Sequence, residues 1–475
     1  MQGFEQHAHA NTPHVVVVGG GIAGLAAAHR LLGSGVRVTL LEASARLGGK
    51  LMTGEVAGVQ VDLGAESMLA RRPEAVGLAR AAGLGDRLQP PATAAASLWT
   101  RDALRPMPKG HMMGVPGDPE ALREVLSPEG IARIAQEREL TATAVGDDVA
   151  VGAYVADRLG REVVDRLVEP LLGGVYAGDA YRISLRAAVP QLFDIARQGG
   201  PLLDGVRRVQ ERAAARQAGG PVFQGIAGGL GTLPDAVAGT VRAQGGEILT
   251  ATPVLGLSRT EAGWDVRTEA GVIAADGIVL ATPAWSASTL LAAESPAASA
   301  ELAGVEYASM ALITMAFRRE DAEAVEALRG RSGFLVPPVD GRTIKAATFS
   351  SNKWQWVADA DPGLFVLRTS VGRYGDEDHL HREDDELTAF SRTDLAAATG
   401  LTAAPVGTAV TRWIGGLPQY PVGHLSKVDR IRGEVAKLPA LRVCGAVYDG
   451  VGIPACIGSA QRAADEIAAE LTGRP

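Results

Sequence analysis

Cysteine is nearly absent from this 475-residue chain, which holds only Cys444 and Cys456. The two match neither a CxxC pair nor a zinc-ligand spacing, which excludes a zinc module, and no metal site is expected. Reduced thiols fit a cytoplasmic chain. Cys456 lies at a loop-to-helix entry, where a thiol pKa can fall, but no base accompanies it, so an unreactive small side chain is the favoured reading. An excess of positive charge is also missing. Lys and Arg number 46 against 54 Asp and Glu, a net charge of −8, which argues against a nucleic-acid partner. An anionic substrate must then be met by local arginines or lysines rather than by the field of the whole protein. No uninterrupted run of about 18 apolar residues exists, so no transmembrane helix is expected; peripheral contact with a membrane surface stays open. The opening MQGFEQHAHANTP is polar, has no apolar signal core and reads as a flexible lead-in. Neither GxSxG nor HExxH occurs, and no Cys/His pair is convincing. Of eight histidines, His7, His9 and His14 lie near the lead-in. Nothing sets the oligomeric state.

What is present begins with VVVVGGGIAG at residues 15–24. An apolar run opens into three glycines and then into the helix-like IAGLAAAHRLLGSG. Gly19, Gly21 and Gly24 fit GxGxxG. Gly19 permits the turn, Gly21 lets a diphosphate approach the backbone, and Gly24 lets the helix pack close to the strand. The helix start then offers free N–H groups and partial positive charge. The following strand, VRVTLLE, ends in Glu42, placed to accept from ribose hydroxyls. Strand, turn, helix, second strand and terminal acid together predict a dinucleotide site. ASARLGGK then supplies Arg46, Gly48, Gly49 and Lys50, which either face a diphosphate or form a solvated loop.

Hydrophobic residues at 47% and charged residues at 21% indicate a globular chain long enough for two or three domains. VAGVQVDLGAES reads as a strand leading into a glycine turn, residues 73–90 as helical with short breaks, and 97–109 as a hairpin. From 116 to 216 the pattern is helical, punctuated by Pro and Gly, which predicts an inserted helical subdomain. Residues 221–285 return to α/β texture with a meander and a buried strand, GIVLATP. Further strands are expected over 305–370, a helix over 385–400, and strand, glycine loop and helix at the end. The fold class predicted is α/β: a discontinuous doubly wound, Rossmann-like cofactor domain with an inserted α+β substrate domain and a helical subdomain. The expected boundaries are 1–85, 219–290 and 431–475 for the cofactor domain, 86–112 and 291–430 for the substrate domain, and 113–218 for the helical subdomain.

Motifs along nearly the whole chain carry a resemblance: PMPKG (106–110), EPLLGGVYAGD (169–179), ISLRAAVPQL (183–192), RWIGGLPQYPVGHL (412–425 region) and GVGIPACIG (450–458). With the glycine turn they resemble the flavoprotein superfamily of amine oxidases and protoporphyrinogen oxidase. More narrowly they are similar to porphyrinogen oxidases of the Gram-positive type, which act on coproporphyrinogen III. The resemblance implies FAD. It implies that Gly19, Gly20, Gly21, Ile22, Ala23 and Gly24 hold the diphosphate, that Glu42 with Ala43 holds the adenosine ribose, and that Arg46, Gly49 and Lys50 line the same strip. Gly64, Ala65, Glu66 and Ser67 are then expected near the isoalloxazine edge, Val254 on the adenine side, and Trp413, Gly445, Val451, Gly452 and Ile453 beside the flavin and its ribityl chain. For Trp413 alone, a core aromatic would be the plainer reading.

The chemistry so implied is removal of six hydrogens from a porphyrinogen, with flavin N5 accepting hydride and oxygen returning the flavin as hydrogen peroxide forms. No catalytic side chain is named. His111 and His424 read as structural hydrogen-bonding residues rather than acids or bases. The macrocycle needs an apolar slot, and its propionates need cations at the rim. Arg71 is the first candidate, with a surface arginine at a helix start as the equal alternative; Lys345 is a second, and Tyr176 is expected to line the cavity. A protoporphyrinogen IX oxidase, an amine oxidase or carotenoid desaturase, and a non-enzymatic flavin-binding protein are the competing readings. An amine oxidase would bring an aromatic cage and a lysine near N5, and neither can be placed.

Overall fold

The computed structural model describes residues 12–141, 143–215 and 220–473; the lead-in with His7 and His9 lies outside them. The first strand, His14–Val18, is buried along its whole length. A strand that reads HVVVV must be covered on both faces, as a central parallel strand is. It sits third in a five-stranded sheet whose order is Glu247–Leu249, Arg37–Leu41, His14–Val18, Gly277–Leu280, Leu441–Val443. All four pairings are parallel. Val15 and Val17 pack under the helices Ile22–Leu32, Thr232–Ala243 and Ile453–Thr472. Val16 and Val18 face an antiparallel meander over Val254–Ala275 and the helices Ala284–Leu291 and His424–Val435. The fold is the doubly wound α/β class expected, its sheet drawn from three distant stretches of chain.

A second, seven-stranded sheet has the order Gly407–Pro418, Tyr307–Arg318, Leu364–Val371, Ile344–Thr348, Gly333–Leu335, Ala96–Thr100, Ala103–Pro106. One face is core: Ala311, Ile313, Met315, Ala347 and Leu367 pack with Leu387 and Leu395 of the helix Asp384–Thr399. The alternation along Tyr307–Arg318 leaves the opposite face half-covered, and that face becomes the site described below. Residues 128–141 and 143–215 form a helical lobe with its own core around Tyr154, Leu167, Leu172 and Leu192.

Several local expectations need correction. The strand expected within VAGVQVDLGAES is present as Val59–Asp62, but it has a partner strand that was not read. The two form an antiparallel hairpin, Thr53–Val56 with Val59–Asp62, turned by Ala57 and Gly58 with φ of 51° and 82°. Two positive φ values make a tight primed turn; the Ala-Gly pair is a weak signal for one in sequence. The helix expected over 73–90 stops at Ala81, because Leu88–Gln89 is needed as a strand against Phe223–Ile226. The helix His424–Val435 and the long strand Gly407–Pro418 carry no periodicity strong enough to have been read.

Candidate active site

The glycine turn is built from contacts that only glycine allows. Gly19 has φ 109°, and its N–H donates to the Leu41 carbonyl at 2.7 Å. A Cβ on Gly24 would lie 1.8 Å from the Gly19 carbonyl oxygen, so helix and strand meet backbone to backbone. Gly21 differs: a Cβ there would meet nothing within 4 Å. It caps the helix Ile22–Leu32, whose first N–H groups therefore open onto unfilled space. The 43–50 loop folds over this turn, Gly48 N–H donating to the Gly20 carbonyl at 2.9 Å. Glu42 accepts from Gly20 N–H through Oε2 and from Ser44 N–H through Oε1, both at 2.7 Å. Its carboxylate is thus fixed at the strand end with lone pairs to spare for hydroxyl donors.

Arg46 is not a free cation. Its guanidinium donates to the Leu47 carbonyl at 3.0 Å and to the Gly49 carbonyl at 2.5 Å, closing its own loop. Lys50 and Ala43 reach solvent. Lys50 is nevertheless crowded by protein, and that desolvation lowers its pKa from the ordinary lysine value. Residues 251 and 252 donate backbone hydrogen bonds to Ser44 and Glu42, which brings Val254 close to the Glu42 end of the strip. At the other end, Gly445 (φ 118°) sits against Ala23, and Gly452 caps the helix Ile453–Thr472. The starts of both helices therefore lie at the carboxyl ends of parallel strands, where α/β sheets hold their ligands.

From this strip, residues 63–67 run onto the half-covered face of the second sheet. Gly64 is wedged: a Cβ would be 2.1 Å from the Lys50 carbonyl oxygen and 3.3 Å from the Trp413 ring. Trp413 donates from Nε1 to the Leu63 carbonyl at 2.9 Å, and Arg368 donates to the Gly64 carbonyl at 2.6 Å. Ala65 is exposed and Ser67 half-buried. Glu66 does not present its side chain to a ligand. Its buried carboxylate meets Lys353 at 2.6 Å and Arg368 at 3.4 Å. Burial alone would raise its pKa; Arg368 and Lys353 outweigh that and hold it below the usual value. Any contact Glu66 makes with a cofactor is through its backbone. Arg368 and Lys353 were missed in sequence; the available signal was a cation inside the apolar strand LFVLRTSV.

The sheet face beyond this strip is uncharged. Met310 pairs with Trp413, Leu312 with Ser370, Ser370 with Ala346 and Ala346 with Leu335, so these side chains share one face, all half-buried. Leu335 and Val451 both pack against the helical-lobe core. The platform is therefore bounded by the 63–67 strip on one side and the helix Glu169–Tyr176 on the other, with Val175 of that helix 45% exposed.

Of the substrate candidates, Tyr176 is a buried core residue of the lobe, its ring tilted against Tyr420 at 5.6 Å and its pKa pushed up to about 12 by burial. Arg71 is exposed, with no side-chain hydrogen bond among the described residues. Lys345 lies at a bulge in its strand, and Nζ donates to the Gly372 carbonyl at 2.6 Å and approaches Met310 Sδ at 3.8 Å. Burial and the nearby Arg373 push its pKa down to about 7. His424 stacks on Tyr420 with centroids 3.9 Å apart, and burial lowers its pKa to about 4. His111 accepts from Gly114 N–H. Cys456 is buried, which pushes its thiol up to about 11.

Comparison with known proteins decides the family. The model of the flavin containing amine oxidoreductase family matches residues 22–468. The chain belongs to that family. It is 37% identical over 462 residues to the coproporphyrinogen III oxidase of Mycobacterium leprae, covering 96% of this chain and 98% of that protein. It is 31% identical to the coproporphyrinogen III oxidase of Bacillus subtilis, covering 95% and 97%. The crystal structure of a putative protoporphyrinogen oxidase from Exiguobacterium superposes with a TM-score of 0.85 at 33% identity, covering 96% and 99%. The family's flavin is FAD here, and the residues fit it: an open cradle at Gly21, two helix starts facing one strip, and a fixed carboxylate at Glu42. Among the described residues no helix is long and apolar enough to cross a membrane.

Proposed function

We propose that this chain is an FAD-dependent oxidase that takes coproporphyrinogen III to coproporphyrin III by removing six electrons, the product being a precursor-stage porphyrin of heme synthesis. The observation that carries the reading is the broad, uncharged sheet face between the flavin strip and the helical lobe, built from Met310, Leu312, Ser370, Ala346 and Leu335. A broad apolar macrocycle suits it; a small cationic amine does not. The names of the relatives from Mycobacterium leprae and Bacillus subtilis support the same substrate. FAD, when bound, supplies the two-electron acceptor, used three times per macrocycle, with oxygen as final acceptor and hydrogen peroxide as its product.

The protein's part is position and dryness. Gly19–Gly24 and the start of the helix Ile453–Thr472 would hold the diphosphate and ribityl chain, Glu42 the ribose, and residues 64–67 with Trp413 the ring edge. Lys353 and Arg368 lock the 64–66 segment so that its backbone cannot drift. Protons released from pyrrole nitrogens need no strong base, since conjugation is gained at each step. His424, held neutral and packed, is not placed to take them.

Protoporphyrinogen IX is the second reading, favoured by the name of the Exiguobacterium structure. The test is to purify the yellow protein, supply each porphyrinogen in air, and follow porphyrin fluorescence and peroxide. A higher kcat/KM for coproporphyrinogen supports the proposal, because that ratio reports differential transition-state binding. Retained FAD with no oxidation of either substrate rejects it.

A further inference from the structure

We infer that Arg373 anchors one carboxylate of the tetrapyrrole at the helical-lobe end of the sheet face. The inference rests on the proposed porphyrinogen substrate and adds where that substrate's charge is met. Arg373 follows the strand Leu364–Val371 and Gly372, whose φ is 89°. The loop is held from three sides. Tyr374 N–H donates to the Ala177 carbonyl at 2.7 Å, docking the loop on the end of the helix Glu169–Tyr176. Arg373 and Asp376 exchange backbone hydrogen bonds at 2.9 and 3.2 Å. Lys345, turned inward at its bulge, holds the Gly372 carbonyl and reaches Met310, which shares the platform with Trp413.

The guanidinium on this fixed loop is half-buried, yet among the described residues it makes no side-chain hydrogen bond and no ion pair. Three other half-buried arginines are spent. Arg368 binds the Gly64 carbonyl, Arg166 binds Asp340 and Thr100, and Arg331 binds the Ser97 hydroxyl. Arginine carries five donors that match a carboxylate in a bidentate fork. Leaving all five idle in a partly desolvated place is costly unless a ligand uses them. Of the two carboxylates whose field Arg373 feels, Asp376 is exposed and makes no ion pair with it among the described residues, and Glu169 accepts through Oε2 from Ala180 N–H at 2.7 Å while burial pushes its pKa up to about 7. They temper the local charge without occupying the fork. The faces of the macrocycle are largely apolar and its carboxylates lie on the periphery, which matches an uncharged platform ending in a cation.

The experiment compares wild type with Arg373→Met and Arg373→Lys on coproporphyrinogen III and on its uncharged tetraamide. Flavin absorbance and Tm confirm that each variant is folded. Arg373→Met is expected to raise KM for the tetracarboxylate about 10-fold or more, with the loss falling on KM rather than kcat, as removal of ground-state and transition-state binding alike requires. Arg373→Lys should recover part of it, and KM for the tetraamide should hardly differ between wild type and variants. An unchanged KM for the tetracarboxylate in Arg373→Met overturns the inference. So does a wild type that takes acid and amide equally well, a comparison that needs no variant to fold. A wild type that oxidises neither compound while holding FAD instead defeats the substrate reading itself.

Discussion

Alanine at Gly21 and alanine at Gly24 should have opposite consequences, although they are three residues apart in one turn. Gly21 has φ −70° and ψ 175°, a conformation open to any residue, and its Cβ would meet nothing within 4 Å. In the apoprotein Gly21→Ala should therefore cost no more than about 1 kcal/mol, the usual range for a change of helix cap. The new methyl group instead occupies space that the diphosphate needs. At a flavin concentration 100 times Kd, FAD adds about 2.7 kcal/mol to stability, and a variant that no longer binds it loses all of that. At Gly24 the clash is internal. A Cβ 1.8 Å from the Gly19 oxygen must retreat about 1.5 Å to reach an ordinary carbon–oxygen contact. Overpacking of that kind costs about 1–3 kcal/mol and sometimes more, with or without cofactor. Urea unfolding of apo and FAD-loaded protein, with flavin titration by fluorescence, separates the two. The reasoning is refuted if Gly21→Ala binds FAD as tightly as wild type, or if Gly24→Ala leaves apoprotein stability untouched.

Asp62 is buried, accepts from Leu230 and Gly231 N–H groups, and has its pKa raised to about 6 by burial, partly offset by those bonds. A raised carboxyl pKa makes the native state hold its proton longer than the unfolded chain, so the associated stability is complete below about pH 4 and is lost as pH climbs through about 6. That difference is about 3 kcal/mol; Asp62→Asn should flatten it, seen as a smaller gap between urea midpoints at pH 4.5 and 6.5. Glu137 and Arg158 form a fully buried pair in the helical lobe, 0% and 2% exposed. Glu137→Leu should cost about 3–5 kcal/mol, and adding Arg158→Met should recover much of it; a double variant no better than the sum of the single losses contradicts this. Trp413→Phe removes the donor to the Leu63 carbonyl and should cost about 1 kcal/mol, with a shift in the flavin absorption band as its second readout. Cys444 and Cys456 are both buried with raised pKa values, so native protein should resist iodoacetamide at pH 8 until denatured.

The cofactor cradle was legible because its chemistry is local. Strand, three glycines, helix and terminal acid sit within 30 residues, and each is dictated by backbone geometry at that spot. The helical lobe was legible for a similar reason, since Pro and Gly punctuate short helices in order. The substrate side was not. Met310, Ser370, Ala346 and Leu335 meet only through strand pairing between distant segments, and none has a side chain that advertises a function. Arg46 read as a strip-lining cation, but sequence cannot show that its own loop carbonyls consume it. Glu66 read as a flavin-edge residue, and its partners Lys353 and Arg368 lie about 300 residues away. Arg373 carries no motif; what singles it out is an unpartnered guanidinium on a loop docked beside the platform, a property only the folded chain has.

The parallel sheet takes its last strand from Leu441–Val443 and its last helix from Ile453–Thr472. During synthesis the glycine turn is made about 400 residues before the strand Leu441–Val443 that completes its bed. Nascent chain is therefore committed to a long interval with exposed valine strands and no flavin to stabilise them. Long-range closure of this kind is slow to fold. A ribosome that stalls, or a stop codon before position 441, yields a polypeptide that keeps the whole phosphate motif but has lost the means to use it.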